Sequence, residues 1–159
     1  MGNGTGSAEA NLKKLRLTLP PAPGPIGAYV PAVRTGNLVF VSGQLPLQDG
    51  KLLATGHVGD TVTEDAAKAA MHQAALNALA IIRAELGTLD RVRRIVRLTG
   101  HVASTPQFTN QPAVVNAASE VFLSVFGPER GPHSRAALGA ASLPKGAAVE
   151  LEVIVEAEE

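Results

Sequence analysis

Two kinds of apolar patterning divide this chain. Leu38-Val39-Phe40-Val41 is a continuous apolar run between Asn37 and Ser42, which predicts a strand, Asn37 to Ser42, covered on both faces. Val149-Glu150-Leu151-Glu152-Val153 alternates instead, which predicts a strand from Ala148 to Glu156 with both acids on one face. Between them the period lengthens. Ala67, Ala70, Met71, Ala74, Leu76, Ala78, Leu79, Ile81 and Ile82 give the apolar face of a helix from Thr61 to Leu86. Thr61 or Thr63 caps it, Glu64 and Asp65 sit in its positively polarised first turn, and Gly87 closes it. Its many alanines imply close approach to a sheet. A second helix, Pro106 to Phe126, carries Val114, Val115, Ala118, Val121, Phe122 and Val125. It is entered through Thr105-Pro106 or Asn110-Gln111-Pro112, and Gly127-Pro128 ends it.

Shorter signals fill the remainder. Strands are expected at Tyr29 to Arg34, Lys51 to Ala54, Arg91 to Val102 and Arg135 to Gly139, and a short helix at Ser7 to Leu17 with Ser7 as its cap. The order β-β-β-α-β-α-β-β predicts an α+β fold, a mixed sheet with two long helices on one face. The other face is then bare, and strands this apolar need a cover, so a homo-oligomer is expected. Residues 1–17 read as a flexible, glycine-rich leader plus the short helix, and residues 18–159 as a single domain.

Composition narrows the chemistry. No cysteine is present, which excludes disulfides, thiolate metal sites and thiol nucleophiles. Fourteen basic and fourteen acidic residues cancel, and aromatics make up only 3%, which argues against nucleic acid as a partner. Arg91, Arg93 and Arg97 share strand parity, so a local basic stripe stays open. No apolar run approaches the ~20 residues of a membrane helix, and the start lacks a secretion signal, so a cytoplasmic protein is expected. His57, His72, His101 and His133 show no metal-ligand spacing, and no glycine-rich phosphate loop lies between a strand and a helix; neither metal nor cofactor is expected.

The candidates for chemistry lie mostly in the tail. Arg135 offers a planar fork that matches a carboxylate, or else is a surface arginine or an inter-subunit ion pair. Glu150 and Glu152 face either solvent or a cleft in which one of them moves a proton. On this reading Arg135 and Glu150 stand on neighbouring strands, beside one cleft. His133 lies two residues before the arginine and is a candidate for the same cleft. Ser42-Gly43 offers a hydroxyl and close backbone approach, but no G-x-S-x-G elbow supports Ser42 as a nucleophile.

Four blocks taken together resemble the Rid family (reactive intermediate deaminases, also called YjgF or L-PSP endoribonucleases). They are Gly27-Ala28-Tyr29-Val30-Pro31-Ala32-Val33 with Gly36-Asn37, then Val41-Ser42-Gly43-Gln44, then Asn116 with Ala117 to Phe122, and last Arg135 through Leu143-Pro144-Lys145 to Glu152. The chain looks closest to a longer subgroup with an H-S-R-A tail motif. The resemblance implies a chorismate-mutase-like fold, a homotrimer with a central barrel, and clefts between subunits. It implies hydrolysis of small 2-imino or 2-enamino acids to 2-keto acids and ammonia, without cofactor. Arg135 matches the residue that binds the substrate carboxylate and Glu150 the one that positions water. Tyr29, Ser42 and Asn116 match pocket positions. Ala137 stands where many members carry a cysteine, which removes thiol reactivity and leaves a smaller wall. Two other readings stay open: a non-catalytic carboxylate binder or chaperone-like trimer, and an endoribonuclease or translation inhibitor.

Overall fold

The computed structural model describes residues 6–159, so the leader from Met1 to Thr5 lies outside the described residues. The first helix, α1 (Ala8–Lys14), starts where Ser7 accepts a hydrogen bond from the Ala10 N–H. It ends at Lys14 rather than Leu17; Arg16 takes a positive φ and turns the chain away. Ala8 and Leu12 belong to the main apolar core, packed against the second long helix. Glu9 ties the helix down. Its carboxylate accepts from Arg83 Nε and Nη2 and from the Leu89 N–H. Partial burial pushes this carboxyl up, and those donors outweigh the push and hold it below the ordinary range.

Five strands form the main sheet, in the order β1 (Ala32–Thr35), β2 (Leu38–Gln44), β7 (Val149–Ala157), β5 (Val92–Ala103), β6 (Ser134–Ala140). All pairings are antiparallel except β5 with β6. β1 begins at Ala32, not Tyr29, because the Tyr29 N–H closes a tight turn on Gly27 C=O and Pro31 follows. The strand expected at Lys51 to Ala54 stays out of this sheet. Lys51–Leu52 (β4) pairs only with Leu47–Gln48 (β3), as a small separate hairpin.

Two long helices, α2 (Glu64–Leu86) and α3 (Gln111–Arg130), cover one face. Thr63 is the cap of α2 and Gly87 closes it in the left-handed region. Ala67, Ala70, Ala74 and Ala78 are wholly buried, which is how α2 lies close to the sheet. Asn110 precedes α3, so the Asn110-Gln111-Pro112 entry is the one used. Gly127, with φ 74°, interrupts the helix as expected, yet a last turn resumes through Arg130. Gly100 in β5 lets α3 settle: a Cβ there would sit 2.4 Å from Val115 Cγ2.

The continuous run in β2 does not have two covers within one chain. Val39 and Val41 are buried under the helices, whereas Leu38 and Phe40 are exposed on the open face. Nor do the β5 arginines keep a common parity. Register shifts between Val92 and Arg94 and between Ile95 and Arg97 break the alternation, and Arg91 belongs to the 3-10 turn before the strand. No helix among the described residues is long and apolar enough to cross a membrane.

Candidate functional site

Register decides which side chains meet. Val41, Val153, Leu98 and Arg135 form one row across β2, β7, β5 and β6, and its first three members are buried under the helices. Glu150, His101 and Leu138 form another row across β7, β5 and β6. Leu98 and His101 have opposite parity in regular strand, so the two rows face opposite sides of the sheet. β6 and β7 are also not neighbours, since β5 runs between them. The expectation of Arg135 and Glu150 on adjacent strands is therefore corrected: one chain holds them on opposite faces, one strand apart.

Arg135 lies on the free edge strand, on the helix side, where α3 reaches it. Asn116 and Ser119 are one turn apart on α3 and face the same way. Nη1 of Arg135 donates to Asn116 Oδ1 at 2.6 Å and to Ser119 Oγ at 3.1 Å. Nη2 points at Pro112 C=O across 3.5 Å, too long to hold it firmly. Both Nη1 hydrogens are thus engaged, while Nε takes no part in these bonds. The Nε/Nη2 edge is the pair of donors that grips a carboxylate in bidentate fashion. All three partners are neutral, and no carboxylate among the described residues lies at ion-pair distance from this guanidinium. An oriented cation without a counter-charge suits a small anion. Ala137, two residues on, shares this side of β6, is half-buried and packs against the core.

His133 sits beside this group, with both ring nitrogens occupied. Nδ1 meets Gly131 C=O at 2.7 Å and Nε2 meets Ser119 Oγ at 2.9 Å. A cavity of about 400 Å³, lined by Arg94, Ile95, Val96, Pro132, His133 and Ser134, opens along the same edge.

The second group is built around Glu150 on the open face. A register shift in β2 between Val41 and Gln44 bends the strand at Ser42-Gly43. Gly43 leaves room for the carboxylate there: a Cβ at this position would lie 2.2 Å from Glu150 Oε1 and force that side chain to move. Ser42 Oγ donates to Val30 C=O at 2.7 Å and the Ser42 N–H to Pro31 C=O, which pins the segment carrying Tyr29. Tyr29 is exposed, and its hydroxyl accepts from the Ile26 N–H. Tyr29, Gly43 and Gln44 line one small hollow. Partial burial pushes the Glu150 carboxyl above its ordinary range; His101 opposes that shift and Glu152 adds to it. Glu152 itself is spent on His101, with Nε2 to Oε2 at 2.6 Å.

Of the residues singled out from sequence, the structure brings Arg135, Asn116, Ala137 and His133 to one edge and Glu150 and Ser42 to the other side of the sheet, with Tyr29 in the segment before β1, beside Gly43 and Gln44. Ser119 was missed, and so was the packing of Gly43 on Glu150. Asn116 and Ser119 at helical spacing on an apolar face was the signal for the first. Nothing in the sequence tells that position 43 lies against position 150. Among the described residues no three His, Asp or Glu side chains gather as a metal site.

Comparison with known proteins agrees with this architecture. Residues 9–156 match the family described as YjgF/chorismate mutase-like, putative endoribonuclease. Protein TCP17 of Trypanosoma cruzi is 45% identical over 96% of this chain and 95% of its own length. A 2-iminobutanoate/2-iminopropanoate deaminase of Dermatophagoides farinae is 32% identical over 87% of this chain and 93% of its own. Among solved structures, the Atu1372 protein of Agrobacterium tumefaciens superposes with a TM-score of 0.87 at 44% identity, covering 98% of this chain and 94% of the other. A mixed sheet with two helices on one face and a family match across nearly the whole length lead to one conclusion: the chain belongs to the YjgF/RidA (L-PSP) family.

Proposed function

We propose that the protein hydrolyses small 2-imino or 2-enamino acids to 2-keto acids and ammonia. The observation that carries this reading is the guanidinium of Arg135, oriented by neutral partners, with Nε outside those bonds and Nη2 held only by a long 3.5 Å contact to Pro112 C=O. The 32% identity to a 2-iminobutanoate/2-iminopropanoate deaminase supports it. An imine carbon is already electrophilic, so holding the carboxylate and a water in line supplies most of what the reaction needs. Glu150 takes a proton from the water as its oxygen bonds to C2. That proton passes to the nitrogen and gives the carbinolamine; Glu150 then carries the carbinolamine's hydroxyl proton to the same nitrogen, the C–N bond breaks as the C2 carbonyl forms, and ammonia leaves. The sum is imino acid plus water giving keto acid plus ammonia. A carboxyl raised by burial is suited to exchanging that proton near neutral pH.

One chain separates the clamp from the proton carrier, so we place the complete site between copies. The free β6 edge of one copy meets the open face of the next, where Phe40 and Leu138 are exposed. A homotrimer closes such a head-to-tail contact into a ring. Tyr29, Ser42 and Glu150 then line one wall, and Arg135, Asn116 and Ala137 the other.

The test is ammonia release from 2-iminopropanoate generated in situ. The parent protein is expected to accelerate it, and Arg135→Ala to lose at least ~100-fold in kcat/KM, as removal of a charged, bidentate substrate contact does. Equal activity in the two proteins rejects the clamp.

A further inference from the structure

The strongest feature outside the two groups of the proposed reaction is the chain of hydrogen bonds behind Arg135. Its direction follows from chemistry. Gly131 C=O can only accept, so His133 Nδ1, 2.7 Å away, carries the proton. In the neutral ring Nε2 is then an acceptor, and its partner at 2.9 Å is the Ser119 hydroxyl, which must donate. With its proton committed to His133, Ser119 Oγ turns its lone pairs to Arg135 Nη1 at 3.1 Å. Ser119 is only 8% exposed, so water does not compete for these bonds. The order is Gly131 C=O, His133, Ser119, Arg135, every group in one donor–acceptor sense.

The fold prepares this order. The break at Gly127 turns the chain at the end of α3, and the Gly131 N–H closes on Gly127 C=O at 2.9 Å. That fixes the carbonyl on which the imidazole rests, four residues before Arg135 on β6.

We infer that His133 and Ser119 are positioning residues. Through the Ser119 hydroxyl, the imidazole fixes Nη1 of Arg135 and thereby aims its Nε/Nη2 edge at the substrate carboxylate. His133 offers a substrate no free ring nitrogen, because both are used. This rests on the reading of Arg135 as a carboxylate clamp and extends it to two residues outside the cleft.

The experiment measures pyruvate binding by calorimetry, independently of turnover, on the full chain. Arg135→Ala is expected to abolish binding. Ser119→Ala and His133→Leu are expected to weaken it roughly three- to tenfold each, the range of one lost hydrogen bond. The double variant is expected to be no weaker than the worse single one, since both break the same chain. His133→Gln places an amide oxygen near the Nε2 position and is expected to recover most of what His133→Leu loses; general loosening of the fold gives no such recovery. Should Ser119→Ala and His133→Leu bind pyruvate as the parent does while Arg135→Ala does not, the relay is overturned and the clamp stands. Should His133→Gln be as weak as His133→Leu, or the two effects simply add, the relay is likewise overturned. Pyruvate binding unchanged in Arg135→Ala overturns the clamp and the relay together.

Discussion

The two faces of the sheet use the same strands for different ends. Under α2 and α3, Val39, Leu98, Leu151 and Val155 are sealed by alanines and by Phe122, and Arg135 enters this side only at the outermost strand. On the other side Phe40 is 42% and Leu138 48% exposed, and Glu150, Glu152 and His101 stand between them. The covered face fixes a charge with neutral dipoles. The open face pairs Glu152 with His101, partly buries Glu150 against Gly43 and carries apolar groups without a cover. On the proposed reading, a chain so divided has one complete core and two half-sites, one on each side of the sheet.

The largest effect expected from this contrast is in the cores. Phe122→Ala removes a wholly buried ring stacked near Phe126 and should cost about 3–5 kcal/mol of stability in denaturant unfolding. Phe40→Ala on the open face should alter the stability of the isolated chain by under ~1 kcal/mol, yet shift the mass in light scattering toward smaller species. Comparable destabilisation by the two changes would erase the distinction between the faces.

Next comes Glu150, the proposed proton carrier. Glu150→Gln should lower kcat for imino acid hydrolysis by roughly 100-fold or more and change KM little. The acid limb of the parent's pH–rate profile should lie above the ordinary carboxylate range, because burial raises this group, and that limb should vanish in the variant. A limb at ordinary carboxylate pH would remove Glu150 from the mechanism.

Gly43→Ala probes the same carboxylate without touching it. The new methyl collides with Glu150 Oε1 and forces it from the bend of β2, so activity should drop about tenfold while pyruvate affinity stays within about twofold. Equal losses in both would mean a disturbed fold.

The smallest effect is a stability trade. A carboxyl whose folded pKa is raised contributes stability below its unfolded pKa and loses it as pH rises through the folded value. Glu150→Gln should therefore be more stable than the parent at pH 7, by under ~1 kcal/mol, and the gain should fade as the pH drops into the carboxylate range. Thermal melts at the two pH values check the sign.

Much of this was legible before any coordinates. The period of Ala67 to Ile82 and the closing Gly87 specify α2 locally, with its cap narrowed to Thr61 or Thr63, and the alternation at Val149 to Val153 specifies β7. What was not legible is pairing. Placing β5 between β6 and β7, with Leu98 set against Arg135 and His101 against Glu150, depends on long-range contacts that no local pattern encodes, and order and register together move Arg135 and Glu150 from one expected cleft to opposite faces. The continuous run at Leu38 to Val41 predicted two covers where one chain supplies one. Bulges in β5 undid a parity that depends on unbroken alternation. The Ser119 hydroxyl escaped notice because a serine on an apolar helix face has no meaning until Arg135 and His133 are known to meet it.

The central claim, that clamp and proton carrier come from different copies, is tested most directly by mixing two inactive variants. Arg135→Ala and Glu150→Gln chains are unfolded together, refolded and assayed for ammonia release. A head-to-tail ring assembled at random should recover about a quarter of the parent's sites, each with Arg135 from one chain and Glu150 from the next. A mixture as silent as each variant alone would contradict the account.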